Sequence, residues 1–118
     1  MPSPAPVAST LDPDTIEELT RILGQDLEQF FGTFIACNAE LLGQMTQFTE
    51  QDDCARFIVS VHSFKGSARN LGALRLADLL GEIEQQVRRS GFAGVDTGFR
   101  QIHQAFEDVC TALETYLH

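Results

Sequence analysis

Apolar residues recur along this chain in the rhythm of helices. From residue 57 to 71 they fall at Phe57, Val61, Phe64, Ala68 and Leu71, a 4-3-4-3 spacing that makes one stripe down a helix. Upstream, Leu27, Phe30, Phe34, Cys37, Leu41, Met45 and Phe48 trace a longer stripe, widened by Phe31, Ile35 and Leu42. Downstream, Leu76, Leu79, Leu80, Ile83 and Val87 mark a third. A fourth runs through Val95, Phe99, Ile102, Phe106, Val109, Leu113 and Tyr116 at near-heptad spacing. No stretch alternates with period two over a strand's length, and there are no internal repeats.

The punctuation between the stripes sets their limits. All four prolines fall by Pro13, so the remaining 105 residues are free to form long helices. Residues 1–10, M-P-S-P-A-P-V-A-S-T, read as a flexible arm, and residues 11–118 as one domain. A short first helix starts with Asp12 as cap, Pro13 in the first turn and Leu11 stapled onto Ile16, and Gly24 stops it after Leu23. Asp26 with Gln29 resembles a capping box that opens the second helix. Glu50-Gln51-Asp52-Asp53 marks the turn into the third, which ends at Leu71 with Gly72 in a left-handed cap. A fourth helix spans Leu74 to Arg89, and a fifth follows the loop Ser90-Gly91-Phe92-Ala93-Gly94. Four long amphipathic helices joined by short turns predict an all-α protein: an antiparallel four-helix bundle with the short N-terminal helix as a lid.

Composition narrows the partners. Eight basic against 17 acidic residues give a net charge of −9, which argues against nucleic acid. No apolar run is long enough for a membrane span and no signal peptide opens the chain, so the expected setting is the cytoplasm. Cys37, Cys54 and Cys110 form no C-x-x-C pair and read as buried thiols. With His62, His103 and His118 they make no metal cluster.

The stretch Val61–Gly72, V-H-S-F-K-G-S-A-R-N-L-G, carries the candidate chemistry. At about 100° per residue His62 lies off the apolar stripe, within about 60° of Ala55, Ile58, Val59, Lys65, Gly66 and Arg69. One imidazole is thus presented outward above two cations, with Ala55, Ile58 and Val59 as an apolar surround. Gly66 costs close to ~1 kcal/mol in a helix relative to Ala, which suggests close approach by another body. His62 lies ten residues before Gly72 and Glu84 ten after Leu74, which places them at one height across the antiparallel pair. Glu84 is therefore a candidate acceptor for His62 Nδ1–H, leaving Nε2 outward and nucleophilic. The same spacing equally allows Glu84 to pair with Arg88 one turn on.

These residues resemble the signature of the histidine-containing phosphotransfer (HPt) domain. Its elements are a His with Lys-Gly three and four residues later, a Gly at ten, a Leu four further on, and an apolar–Glu or apolar–Gln pair. They fall here at His62, Lys65, Gly66, Gly72, Leu76 and Ile83-Glu84. Val61 stands where the family often has Ala. The resemblance implies an antiparallel helical bundle that carries a phosphoryl group on His62 between receiver-domain aspartates. Lys65 then stabilises the phosphate, Gly66 clears room for the partner and Glu84 orients the ring. Arg69 adds a second cation against the roughly two charges of a phosphoryl group. The partners implied are response-regulator receiver domains and a hybrid sensor histidine kinase. The protein itself is expected to be a monomer without a resident cofactor, the receiver supplying Mg²⁺.

No G-x-x-x-x-G-K-[ST] or other ATP loop is present, so a phosphocarrier rather than a kinase is expected. Two alternatives remain at this level: a receiver-binding adaptor, or the phospho-accepting domain of a larger histidine kinase. Ser63 stands where a dimerising kinase helix usually has an acid. Met1 ahead of the Pro/Ala-rich arm favours a separate small protein.

Overall fold

The computed structural model describes residues 10–117. Residues 1–9 of the arm expected over 1–10, and His118, lie outside them. Five α-helices follow in order: α1 Pro13–Leu23, α2 Leu27–Glu50, α3 Cys54–Leu71, α4 Leu74–Ser90 and α5 Asp96–Leu117, with a 3₁₀ turn at Gly24–Asp26. Among the described residues there is no strand. Helix α3 packs on α2 and α4, α4 on α5, and α5 back on α2, while α1 touches α2 and α3. The connections at 51–53, 72–73 and 91–95 are short, so successive long helices run antiparallel. This is the expected bundle.

Helix α3 is its most deeply held element. Phe57, Val61, Phe64, Ala68 and Leu71, the whole predicted stripe, are each fully buried. Phe57 meets the rings of Phe92 and Phe99 edge-on at 5.1 and 6.2 Å, and Phe64 meets Phe106 at 5.6 Å, nearly perpendicular. The start of α3 is capped by Asp53, whose side chain accepts the Arg56 N–H.

Its other end forms the tightest joint in the molecule. Gly72 adopts φ +83°, its N–H donates to Arg69 O, and the Ala73 N–H reaches back to Ala68 O at 2.8 Å. That pair of bonds is the Schellman arrangement. The Gly72 carbonyl accepts the Asp12 N–H at 2.8 Å, and Asp12 in turn accepts the Thr15 hydroxyl at 2.7 Å. One glycine thus ends α3, aims α4 and seats α1. Leu11 and Ile16, the expected staple, are both buried beside it.

Several local expectations are corrected. The buried face of α2 is Leu27, Phe31, Phe34, Asn38, Leu42 and Met45. All but Asn38 belong to the widened stripe expected, and the buried arc is turned by about 50° from the narrower row of Leu27, Phe30, Phe34, Cys37, Leu41, Met45 and Phe48. Phe30, Leu41 and Phe48 sit half-buried at its margin and Cys37 is exposed. The reason is that α2 must face α3 and α5 together, which brings Asn38 inward. Its amide donates to Phe34 O at 2.8 Å. The cysteines are therefore not core thiols: Cys54 and Cys110 are only half-buried. Asp26 makes no side-chain cap, because the 3₁₀ turn runs straight into α2 with helical dihedrals. Asp12 likewise spends its carboxylate on Thr15 rather than on a backbone N–H. Thr10, counted with the arm, is buried.

Replacing Gly72 with Ala should be costly on two counts. A left-handed φ is strained for any side chain, and a Cβ there would stand 2.9 Å from Thr15 Cβ. Urea unfolding of Gly72→Ala should show a loss of about 1–3 kcal/mol. A midpoint equal to wild type would mean that this joint does not hold α1.

Candidate functional site

Because α3 buries one stripe so completely, its opposite face is left to solvent. His62 lies on that face and is exposed, as are Ala55, Gly66 and Arg69. Val59, one turn before the histidine, is 70% exposed, more than any other large hydrophobic side chain described. Ile58 is half-buried, packed against the edge of the core. A Cβ built at Gly66 would meet nothing within 4 Å, so no fold contact requires a glycine there. The face is an imidazole set among small and apolar groups with open space below it.

The α4 side of this face is ionic. Glu84 is buried, its side chain 10% exposed. Its Oε1 accepts from Lys65 Nζ at 3.1 Å and its Oε2 from Arg88 Nε at 3.1 Å. Lys65 is itself largely covered, at 15% side-chain exposure, whereas Arg88 is 54% exposed. Desolvation pushes the Glu84 carboxyl upward, but the hydrogen bonds and charges of Lys65 and Arg88 outweigh it and hold the group below its ordinary value.

This arrangement corrects the expected Nδ1–H bond from His62 to Glu84. Both carboxylate oxygens are engaged by cations, and among the described residues His62 has no side-chain hydrogen-bond partner. The geometry of α3 explains the exchange. Lys65, three residues on, projects about 60° further toward α4 than His62 does. A cation also satisfies a buried carboxylate better than a neutral ring. The i,i+4 pairing with Arg88 is present as well, so the spacing was read correctly and the ring contact was not.

Gly81 is the residue that sequence reasoning passed over. It lies seven residues after Leu74, as Lys65 lies seven before Gly72. A Cβ on Gly81 would stand 3.9 Å from Lys65 Cδ. The lysine stem thus passes close over a bare stretch of α4 on its way to Glu84. The equal-height rule applied to Lys65 rather than His62 would have found this contact.

The other described histidine is differently placed. His103 stacks on Phe99, ring centroids 5.0 Å apart and planes 18° off parallel. With Thr46, Thr49, Asp96, Phe99 and Arg100 it lines an open groove of about 560 Å³ between α2 and α5, to which α3 contributes no residue. Among the described residues, no three His, Cys, Asp or Glu side chains gather as a metal site. No helix described is long and apolar enough to cross a membrane.

A helical bundle that presents one histidine from the middle of its most deeply held helix is the architecture expected from the resemblance to phosphotransfer domains. The Hpt domain family matches residues 29–117, and the chain belongs to it. The crystal structure of histidine-containing phosphotransfer protein B from Pseudomonas aeruginosa PAO1 superposes with a TM-score of 0.85, covering 91% of this chain and 93% of that one at 23% identity. That likeness is one of fold. No curated protein matches the sequence. The role of the chain is that of its family, histidine phosphotransfer within a phosphorelay, in which such domains interact with receiver domains and histidine kinases.

The depressed Glu84 carboxyl makes a statement about stability. A carboxyl that binds its proton less readily folded than unfolded contributes stability above its ordinary value of 4.5, and loses it as pH falls through the lowered folded value. Wild type should therefore lose more stability than Glu84→Gln between pH 7 and pH 3. At pH 7, Glu84→Gln should cost about 1–3 kcal/mol. Urea titrations at both pH values check this; parallel acid losses in the two proteins would show that the triad is not what acid breaks.

Proposed function

We propose that His62 is the phosphorylated residue, receiving the phosphoryl group from one receiver-domain aspartate and passing it to another. The observation that carries this reading is the exposed imidazole on the solvent face of α3, beside a glycine whose missing side chain the fold does not need. Nε2 attacks phosphorus as the P–O bond to the donor aspartate breaks. The leaving carboxylate takes that electron pair, and the Nδ1–H stays on the ring. Such a transfer depends on positioning and charge neutralisation more than on acid–base groups.

Lys65 offers the nearest neutralising charge. Its ammonium, held on Glu84 at 3.1 Å, ends a flexible stem that can turn outward to a phosphoryl oxygen. Arg69, exposed a further turn away, adds long-range attraction only. Gly66, Ala55, Ile58 and Val59 form the surface on which the receiver lands. Glu84 acts by holding Lys65 rather than by orienting the ring. The acidic residues and Mg²⁺ that complete the transfer belong to the receiver. The chain works as a cytoplasmic monomer between a hybrid sensor histidine kinase and a response regulator, and makes no phosphohistidine from ATP.

Incubation with a phosphorylated receiver should place acid-labile, base-stable label on His62. His62→Gln should take up none, while His103→Gln labels normally. Normal uptake by His62→Gln would overturn the assignment.

Gly66 separates docking from folding. Gly66→Ala should be neutral or stabilising, by up to about 1 kcal/mol, since its Cβ meets only open space. Gly66→Gln should keep the thermal midpoint and slow transfer at least tenfold by obstructing the receiver. Full transfer in that variant would move the docking face elsewhere.

A further inference from the structure

Lys65 has two calls on it. Glu84, buried across the helix pair, holds its ammonium at 3.1 Å, and a phosphoryl group on His62 one turn away would draw it outward. If Glu84 had no other partner, each move of Lys65 toward phosphate would leave a buried carboxylate uncompensated, the costliest outcome for such a group. Glu84 does have another partner. Arg88 donates Nε to the second oxygen at 3.1 Å, and it is anchored one turn along the same helix as Glu84. With 54% of its side chain exposed, Arg88 stays solvated while doing so, and therefore holds its position at little desolvation cost.

We infer that Arg88 is a positioning residue for phosphotransfer: by holding Glu84 it frees Lys65 to move from the carboxylate to the phosphoryl group on His62. The inference rests on the reading of His62 as the phosphorylated residue. The three side chains form a cluster of two cations sharing one anion, with both oxygens in use. Arriving phosphate brings about two further negative charges and turns an excess of one positive charge into a deficit. Lys65 is the member that moves. Its ammonium sits at the end of a flexible stem passing over Gly81, where a Cβ would come no closer than 3.9 Å. Arg88 lies one turn beyond Glu84, on the side of it away from Gly81, and remains behind.

Potassium phosphoramidate tests this without any receiver. In that reaction the donor N–P bond breaks with loss of ammonia as the His62 Nε2–P bond forms. Arg88→Ala should take up phosphate about three- to tenfold more slowly than wild type, equivalent to about 0.7–1.4 kcal/mol. Arg88→Lys, which keeps an i,i+4 cation on Glu84, should recover most of the rate. Glu84→Gln/Arg88→Ala should match Glu84→Gln alone, because a neutral amide no longer needs Arg88. The Lys65 Nζ resonance should move on phosphorylation in wild type and move less in Arg88→Ala. A general loss of structure would produce neither the rescue nor the epistasis. Wild-type rates and Lys65 shifts in Arg88→Ala, or a defect that persists undiminished with Glu84→Gln, would overturn the role of Arg88. Wild type that takes no label at His62 would overturn the phosphotransfer reading itself, and this inference with it.

Discussion

The left-handed turn at Gly72 is the constraint from which the working parts take their positions. With only residues 72 and 73 between them, α3 and α4 have no freedom to slide, so each residue of one is matched to a height on the other. Lys65 therefore faces Gly81, and Glu84 comes within reach of the lysine. The same glycine carbonyl binds the Asp12 N–H, which seats α1 against the joint. A side chain at residue 72 would disturb all three relations together, through its own dihedral and through Thr15.

A second theme is the division of α3 into two faces with opposite demands. Five fully buried apolar side chains hold it in the bundle, and the packing of Phe57 and Phe64 against α5 rings leaves it little room to rotate. Rigidity on one face allows the other to carry an imidazole in a reproducible position without local hydrogen bonds. The apolar stripe and the exposed imidazole thus share a helix but not a residue, and Lys65, bound to Glu84, stands between them. Gly66 costs helix propensity on the functional face, and the buried face compensates.

Glu84 marks where the two faces meet. A buried carboxylate needs compensation, and a cation provides more of it than a neutral imidazole does. The fold satisfies that need twice, through Lys65 and Arg88, and leaves His62 free of it. The chain as a whole carries −9, and Lys65, Arg69 and Arg88 are a local exception to that charge near the histidine.

The sequence by itself determined the helical class, the order and limits of the long helices, the α3 stripe, the Gly72 cap and the exposure of His62. Each follows from periodicity or from a glycine placed where only a residue without a side chain takes a left-handed φ at no cost, and such information is local. The rotation of α2 was not legible, because Leu27 to Phe48 offers apolar residues over more than half its circumference and only its two neighbours select the arc that is buried. Cys37, expected inward, is exposed for that reason, and Asn38 is buried. The partner of Glu84 was not legible either. Height across the α3–α4 pair could be counted from the turn, but azimuth could not, and a carboxylate within reach of both a ring and an ammonium is assigned by direction and by relative desolvation. Those two quantities exist only once the helices are packed.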